Sequence, residues 1–173
     1  YAMVLTNIGL IYNRMETKFN LALEFHKRAL KVNRENDYKI GIANILSNMA
    51  NTYDNLGQPK KAIELQQEAY EIFETIGSKA GMANALTNIG IAYTSIPDYK
   101  KSIYYLEQTL PIYEELGNKN NLSIVEHYLG KALLEVEPTK SNLIQAENHL
   151  RQAIKISRET GNLETVKDSY DML

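Results

Sequence analysis

A period of forty residues constrains this chain more than any other feature. Residues 84–93, NALTNIGIAY, rewrite residues 44–53, NILSNMANTY, and residues 4–12, VLTNIGLIY, are a third copy. A small residue recurs at Gly9, Ala50, Gly90 and Gly130, a second at Ala22, Ala62, Ser102 and Ala146, and a third at Ala29, Ala69, Thr109 and Ala153. Gly77, Gly117 and Gly161 close the units, with Asp37 in that place in the first. A chain built this way is an array in which each unit buries its apolar face on its neighbours. The landmarks divide it into repeats of about 1–37, 38–77, 78–117 and 118–161, with 162–173 opening a fifth, all in a single array.

Each unit reads as two helices. Ala43, Leu46, Met49, Ala50 and Tyr53 recur at spacings of three and four, as do Ala62, Leu65, Ala69, Ile72, Phe73 and Ile76. Gly57 and Pro59 separate the two runs. The pairs Gly77-Ser78, Gly117-Asn118 and Gly161-Asn162 each join a glycine stop to a capping residue. No stretch alternates with period two, so no strand is expected. Where helices cross at a small residue, the nearby Tyr12, Tyr53 and Tyr93 fill the space, and Leu133 replaces them in the fourth unit.

Two places depart from the pattern. The connection EVEPTKSNLIQA, residues 135–146, is four residues longer than its neighbours and predicts a bulge at the surface. Pro111 falls inside the second helix of the third unit, where a missing N–H loosens or kinks the helix.

A helix pair with Leu/Ile-Gly-x-x-Tyr in its first member and Ala-x(6)-Ala in its second resembles the tetratricopeptide repeat. This is the longer variety, similar to the repeats of kinesin light chains, spindle-orientation adaptors and bacterial signalling proteins. The resemblance implies an all-α, right-handed superhelical solenoid of antiparallel helix pairs. It also implies that the first helices line a concave groove that takes a protein or an extended peptide. The residues so placed are Asn7, Asn44, Ser47, Asn48, Asn51, Asn84, Thr87 and Asn88, with His127, Tyr128 and Lys131 in the fourth repeat. An asparagine amide carries two donors and two acceptor lone pairs, so a row of them suits the backbone of a bound peptide. The same residues also suit contacts between repeats.

Other chemistry has little support. The net charge of −2 gives no electrostatic footprint for nucleic acid. There are no cysteines, and His26, His127 and His149 lie in separate helices without metal spacing. Glu114 and Glu115 diverge by about 100° around a helix and make no acid–base couple. No run is long and apolar enough to span a bilayer. The expectation is therefore a non-catalytic scaffold without metal or cofactor, cytoplasmic and without membrane contact. The chain begins without methionine, which suggests an input or adaptor region of a larger signalling protein, and its Asn-, Lys- and Ile-rich composition suggests a bacterial source. The rival expectation is a structural array that self-associates end to end through Val4, Ile8, Val166 and Tyr170.

Overall fold

The computed structural model describes residues 1–15, 17–137 and 139–173. Among these residues there are helices and turns and no strand. The chain divides into two compact units, Tyr1–Ala92 and Tyr93–Leu173.

The first unit holds α1 (Ala2–Asn13), α2 (Phe19–Glu35), α3 (Lys39–Asn55), α4 (Pro59–Thr75) and most of α5 (Lys79–Ser95). Helix α1 packs on α2, α2 on α3, and α3 on α4. Leu5, Leu23, Ala29, Leu30, Ile45, Leu46, Met49 and Phe73 share one buried cluster. The glycines permit close approach. A Cβ built at Gly9 would lie 2.5 Å from Cε1 of His26, whose ring fills the space the glycine leaves.

The ends of α2, α3 and α4 close in the same way. After α4, the Ser78 N–H donates to Phe73 O at 2.8 Å and Gly77 N–H to Glu74 O at 3.0 Å, with Gly77 at φ 69°. This is the glycine-closed helix end predicted from sequence. After α2 the corresponding residue is Asp37, held at φ 47° by the same bonds: Tyr38 N–H to Asn33 O at 2.9 Å and Asp37 N–H to Arg34 O at 3.2 Å. A side chain in that backbone region carries a strain that glycine escapes.

The second unit holds α6 (Tyr99–Glu107), α7 (Leu110–Glu115), α8 (Lys119–Val136), α9 (Lys140–Thr160) and α10 (Leu163–Tyr170). Helices α6 and α7 pack on α8, α8 packs on α9, and α10 rests on α9 and α8. Leu106, Tyr113, Val125, Leu129 and Leu150 are its largest fully buried side chains. The break between α6 and α7 falls where Pro111 deprives the Glu107 carbonyl of its helical donor, as expected.

The insertion before α9 behaves differently from the sequence expectation. Thr139 Oγ1 accepts from Asn142 N–H at 3.1 Å and starts the helix at Lys140. Helix α9 is 21 residues long where α2 and α4 are 17, so most of the insertion becomes extra helix instead of a bulging loop. A capping threonine at the start of the helix favours that outcome. Pro138, in the middle of the connection, lies outside the described residues.

The tyrosines after the small residues are half-buried, and each lies under a lysine. Lys61 Nζ is 5.3 Å from the Tyr53 ring centre and Lys18 Nζ is 5.7 Å from that of Tyr12, which also stacks on Phe25 at 5.5 Å. In the second unit Lys101 Nζ lies 5.2 Å from the Tyr93 centre, and Tyr93 stacks on Tyr105 at 5.6 Å.

Candidate functional site

The first unit carries a polar strip opposite its buried seam. On α3, Ala43, Leu46 and Ala50 are at most 1% exposed. Asn44 and Asn51 are exposed and Asn48 is half-buried, each about two residues around from a core position. Helix α5 repeats this with Asn84 exposed and Asn88 half-buried, and α1 with Asn7 exposed.

Hydrogen bonding sorts the strip into two sets. Gln66 of α4, 1% exposed, receives a bond from Ser47 Oγ at 3.0 Å and donates from Nε2 to Asn51 Oδ1 at 3.3 Å and to Ser47 O at 3.4 Å. Ser47 and Asn51 thus help to fasten α3 to α4. Thr87 is buried, and both it and Asn84 are engaged within the chain. Among the described residues, the amides of Asn7, Asn44, Asn48 and Asn88 take part in no hydrogen bond. The amide donors and acceptors of those four are not used within the chain.

Sequence reasoning passed over Gln66, although it carried a signal. Its register position is His26 in the first repeat, Leu106 in the third and Leu150 in the fourth. Gln66 finds partners for both ends of its amide. His26 is 0% exposed with neither ring nitrogen bonded, and burial pushes its pKa down to about 4. The Oδ1 atoms of Asn13 and Asp54, which share a register position, are also buried without a partner, and burial raises the Asp54 carboxyl pKa.

In the second unit, α8 brings His127, Tyr128 and Lys131 together. The His127 ring is 7% exposed, with Nδ1 2.8 Å from Ser169 Oγ on α10. Burial lowers the pKa of His127; Asp168 opposes the shift and Lys131 adds to it. Tyr128 is half-buried, edge-on to His127 at 5.2 Å, with Lys131 Nζ 5.9 Å from its centre. His127 thereby ties α10 to α8, and Tyr128 with Lys131 forms an aromatic and cationic corner. A second pair missed in the sequence joins His149 Nδ1 to Glu126 Oε2 at 2.6 Å across α9 and α8. Among the described residues no cluster of histidine and carboxylate side chains is arranged to hold a metal ion. No helix among them is long and apolar enough to cross a membrane.

The chain is similar to several solved structures. Aspartyl phosphate phosphatase F from Bacillus subtilis superposes with a TM-score of 0.85 at 19% identity, over 99% of this chain and 44% of that one. BtubC from P. vanneervenii gives 0.79 at 23% identity, over 92% and 64%. A Rap protein complexed with competence and sporulation factor gives 0.61 at 15% identity, over 98% and 61%. The chain thus spans between 44% and 64% of the length of these three structures. They share a fold with it, that of tetratricopeptide-like helical solenoids. No curated protein sequence matches it. The family model described as tetratricopeptide repeat matches residues 1–75 and again residues 41–115. The chain belongs to the tetratricopeptide repeat family.

Proposed function

We propose that this chain is a non-catalytic binding scaffold whose first helices present a groove to an extended peptide or a partner protein, as an input or adaptor region of a larger cytoplasmic signalling protein. The observation that carries the reading is the set of unspent amides at Asn7, Asn44, Asn48 and Asn88. Asparagine is a mediocre helix former, so four of them in helices with no internal bond bring the fold no evident gain. An extended backbone offers alternating N–H and C=O groups, and an amide satisfies both without demanding a particular side chain. Ser47, Asn51, Asn84 and Thr87 frame these positions. Tyr128 and Lys131 supply an aromatic and cationic contact in the second unit, with His127 buried behind them. The complex of a Rap protein of similar fold with competence and sporulation factor is in keeping with such a role. The Ser169–His127 contact is buried and ties α10 to α8.

The test is a peptide-display selection on the chain, counter-screened on the Asn48→Ala/Asn88→Ala variant. Alanine is the better helix former by up to about 0.7 kcal/mol per site, so the variant is expected to melt at or slightly above the parent temperature. Peptides held by the parent and lost on the variant support the reading. Binding that ignores both substitutions, or a variant that melts markedly lower, would show that the two asparagines serve the fold.

A further inference from the structure

Asp54 is a carboxylate that the fold places badly and leaves without a partner. It follows Asn51 by three residues and Ser47 by seven, so it continues the polar strip into the last turn of α3. A negative charge there meets the negative end of the helix dipole. The side chain is also half-buried, with Oδ1 covered and unbonded, and burial is what raises its carboxyl pKa. A carboxylate taken from water without a compensating donor destabilises the fold. No cation among the described residues pairs with it. Lys61, at the start of α4, instead lies over the Tyr53 ring and donates to Gln58 Oε1 at 2.8 Å.

The preceding first helix repeats the feature. Asn13 of α1 is the register equivalent of Asp54 and follows Thr6 by seven residues, as Asp54 follows Ser47. Its Oδ1 is likewise buried without a donor. Helices α1 and α3 touch within the first unit, so both acceptors sit towards the C-terminal ends of adjacent helices. The equivalents in the third and fourth repeats are Thr94 and Leu134, which makes the charge particular to this place. Two idle acceptors, one of them anionic, beside helix C-terminal ends suit a donor that is also a cation.

We propose that this end of the strip is a subsite for a cationic group of the bound peptide, an ammonium or guanidinium held by the Asp54 carboxylate and the Asn13 amide oxygen. The subsite presupposes the groove proposed above and gives it a ligand class. The asparagines take the backbone of any sequence, and Asp54 selects peptides that carry a positive charge. A lysine or arginine side chain and a free N-terminal amine share this chemistry.

The probe is a synthetic random peptide library, prepared with and without Lys and Arg and with free and acetylated N-termini, and selected on the chain. Binders are expected to carry a cation, and their affinity should fall roughly tenfold to a hundredfold on Asp54→Asn, the range for a hydrogen bond to a charged group. Added salt should weaken the same peptides on the parent and do so far less on Asp54→Asn. Binders that survive acetylation but need Lys or Arg give the subsite to a side chain; binders that need only a free N-terminus give it to the terminal amine. Asp54→Asn keeps the shape of the side chain and removes a badly placed charge, so it should melt at or above the parent temperature. Peptides lost on Asn48→Ala/Asn88→Ala but free of cations and indifferent to Asp54→Asn would overturn the subsite and leave the groove standing. A chain that takes no peptide in any form would overturn both. An Asp54→Asn variant that melts markedly lower would give the carboxylate to the fold and overturn the subsite.

Discussion

Acidification should loosen the first helix pair through one residue, His26. Its ring lies fully buried against Gly9 with both nitrogens unbonded, and burial alone pulls its pKa from the ordinary 6.5 to about 4. The unfolded chain therefore takes up a proton near pH 6.5 that the folded chain refuses until near pH 4. Stability from the neutral ring is fully present above pH 6.5 and falls as the pH drops towards 4. Integrating the proton difference over that window gives a loss of about 2 kcal/mol by pH 5 and about 3 kcal/mol by pH 4, relative to neutral pH. Urea titrations at pH 7.5 and 5.0 should show it as a lower midpoint with a similar slope. The control is His26→Leu, since Leu106 and Leu150 occupy the same register position while at most 1% exposed. This variant should lose most of the dependence, and the remainder belongs to His127, whose pKa is also lowered. Amide exchange at pH 5 should localise the loosening to α1 and α2, because the His26 ring is packed between them against Gly9. Equal acid sensitivity in the parent and in His26→Leu would refute the reasoning.

Gly9→Ala should destabilise the chain by about 1–3 kcal/mol, because its Cβ would press into the His26 ring. Adding His26→Gln recreates the Ala50 and Gln66 combination of the second repeat and should restore much of the loss in thermal melting; a double variant no better than Gly9→Ala would refute the pairing. Asp37→Gly should stabilise by about 1 kcal/mol, since it relieves a side chain held at φ 47°, and an unchanged or lower urea midpoint would contradict the strain.

The alternation of helices and stops was legible in the sequence because it is encoded locally. Gly77, Gly117 and Gly161 announced their left-handed ends through residue type, and the alignment placed Asp37 with them. Pro111 announced its break because a missing donor needs no tertiary partner to take effect. The insertion at residues 135–146 was misread as a loop because its length was visible while its helix-starting cap, Thr139 to Asn142, is a matter of backbone geometry.

The candidate site was legible as a set of positions and no further. The period fixed which residues share a face, and with them the strip of Asn7, Asn44, Asn48 and Asn88. Which amides stay unspent was decided by the helix opposite: Gln66 claims Ser47 and Asn51, and Ser169 claims His127 across 42 residues of chain. Sequence by itself determined the family, the helices and their glycine-closed ends, since these rest on backbone conformation and on apolar periodicity within a few residues. Tertiary structure alone decided the bonding of each polar side chain and the burial that holds His26 neutral. Those depend on which side chain arrives from another helix, and the spacing of residues along one helix carries no record of it.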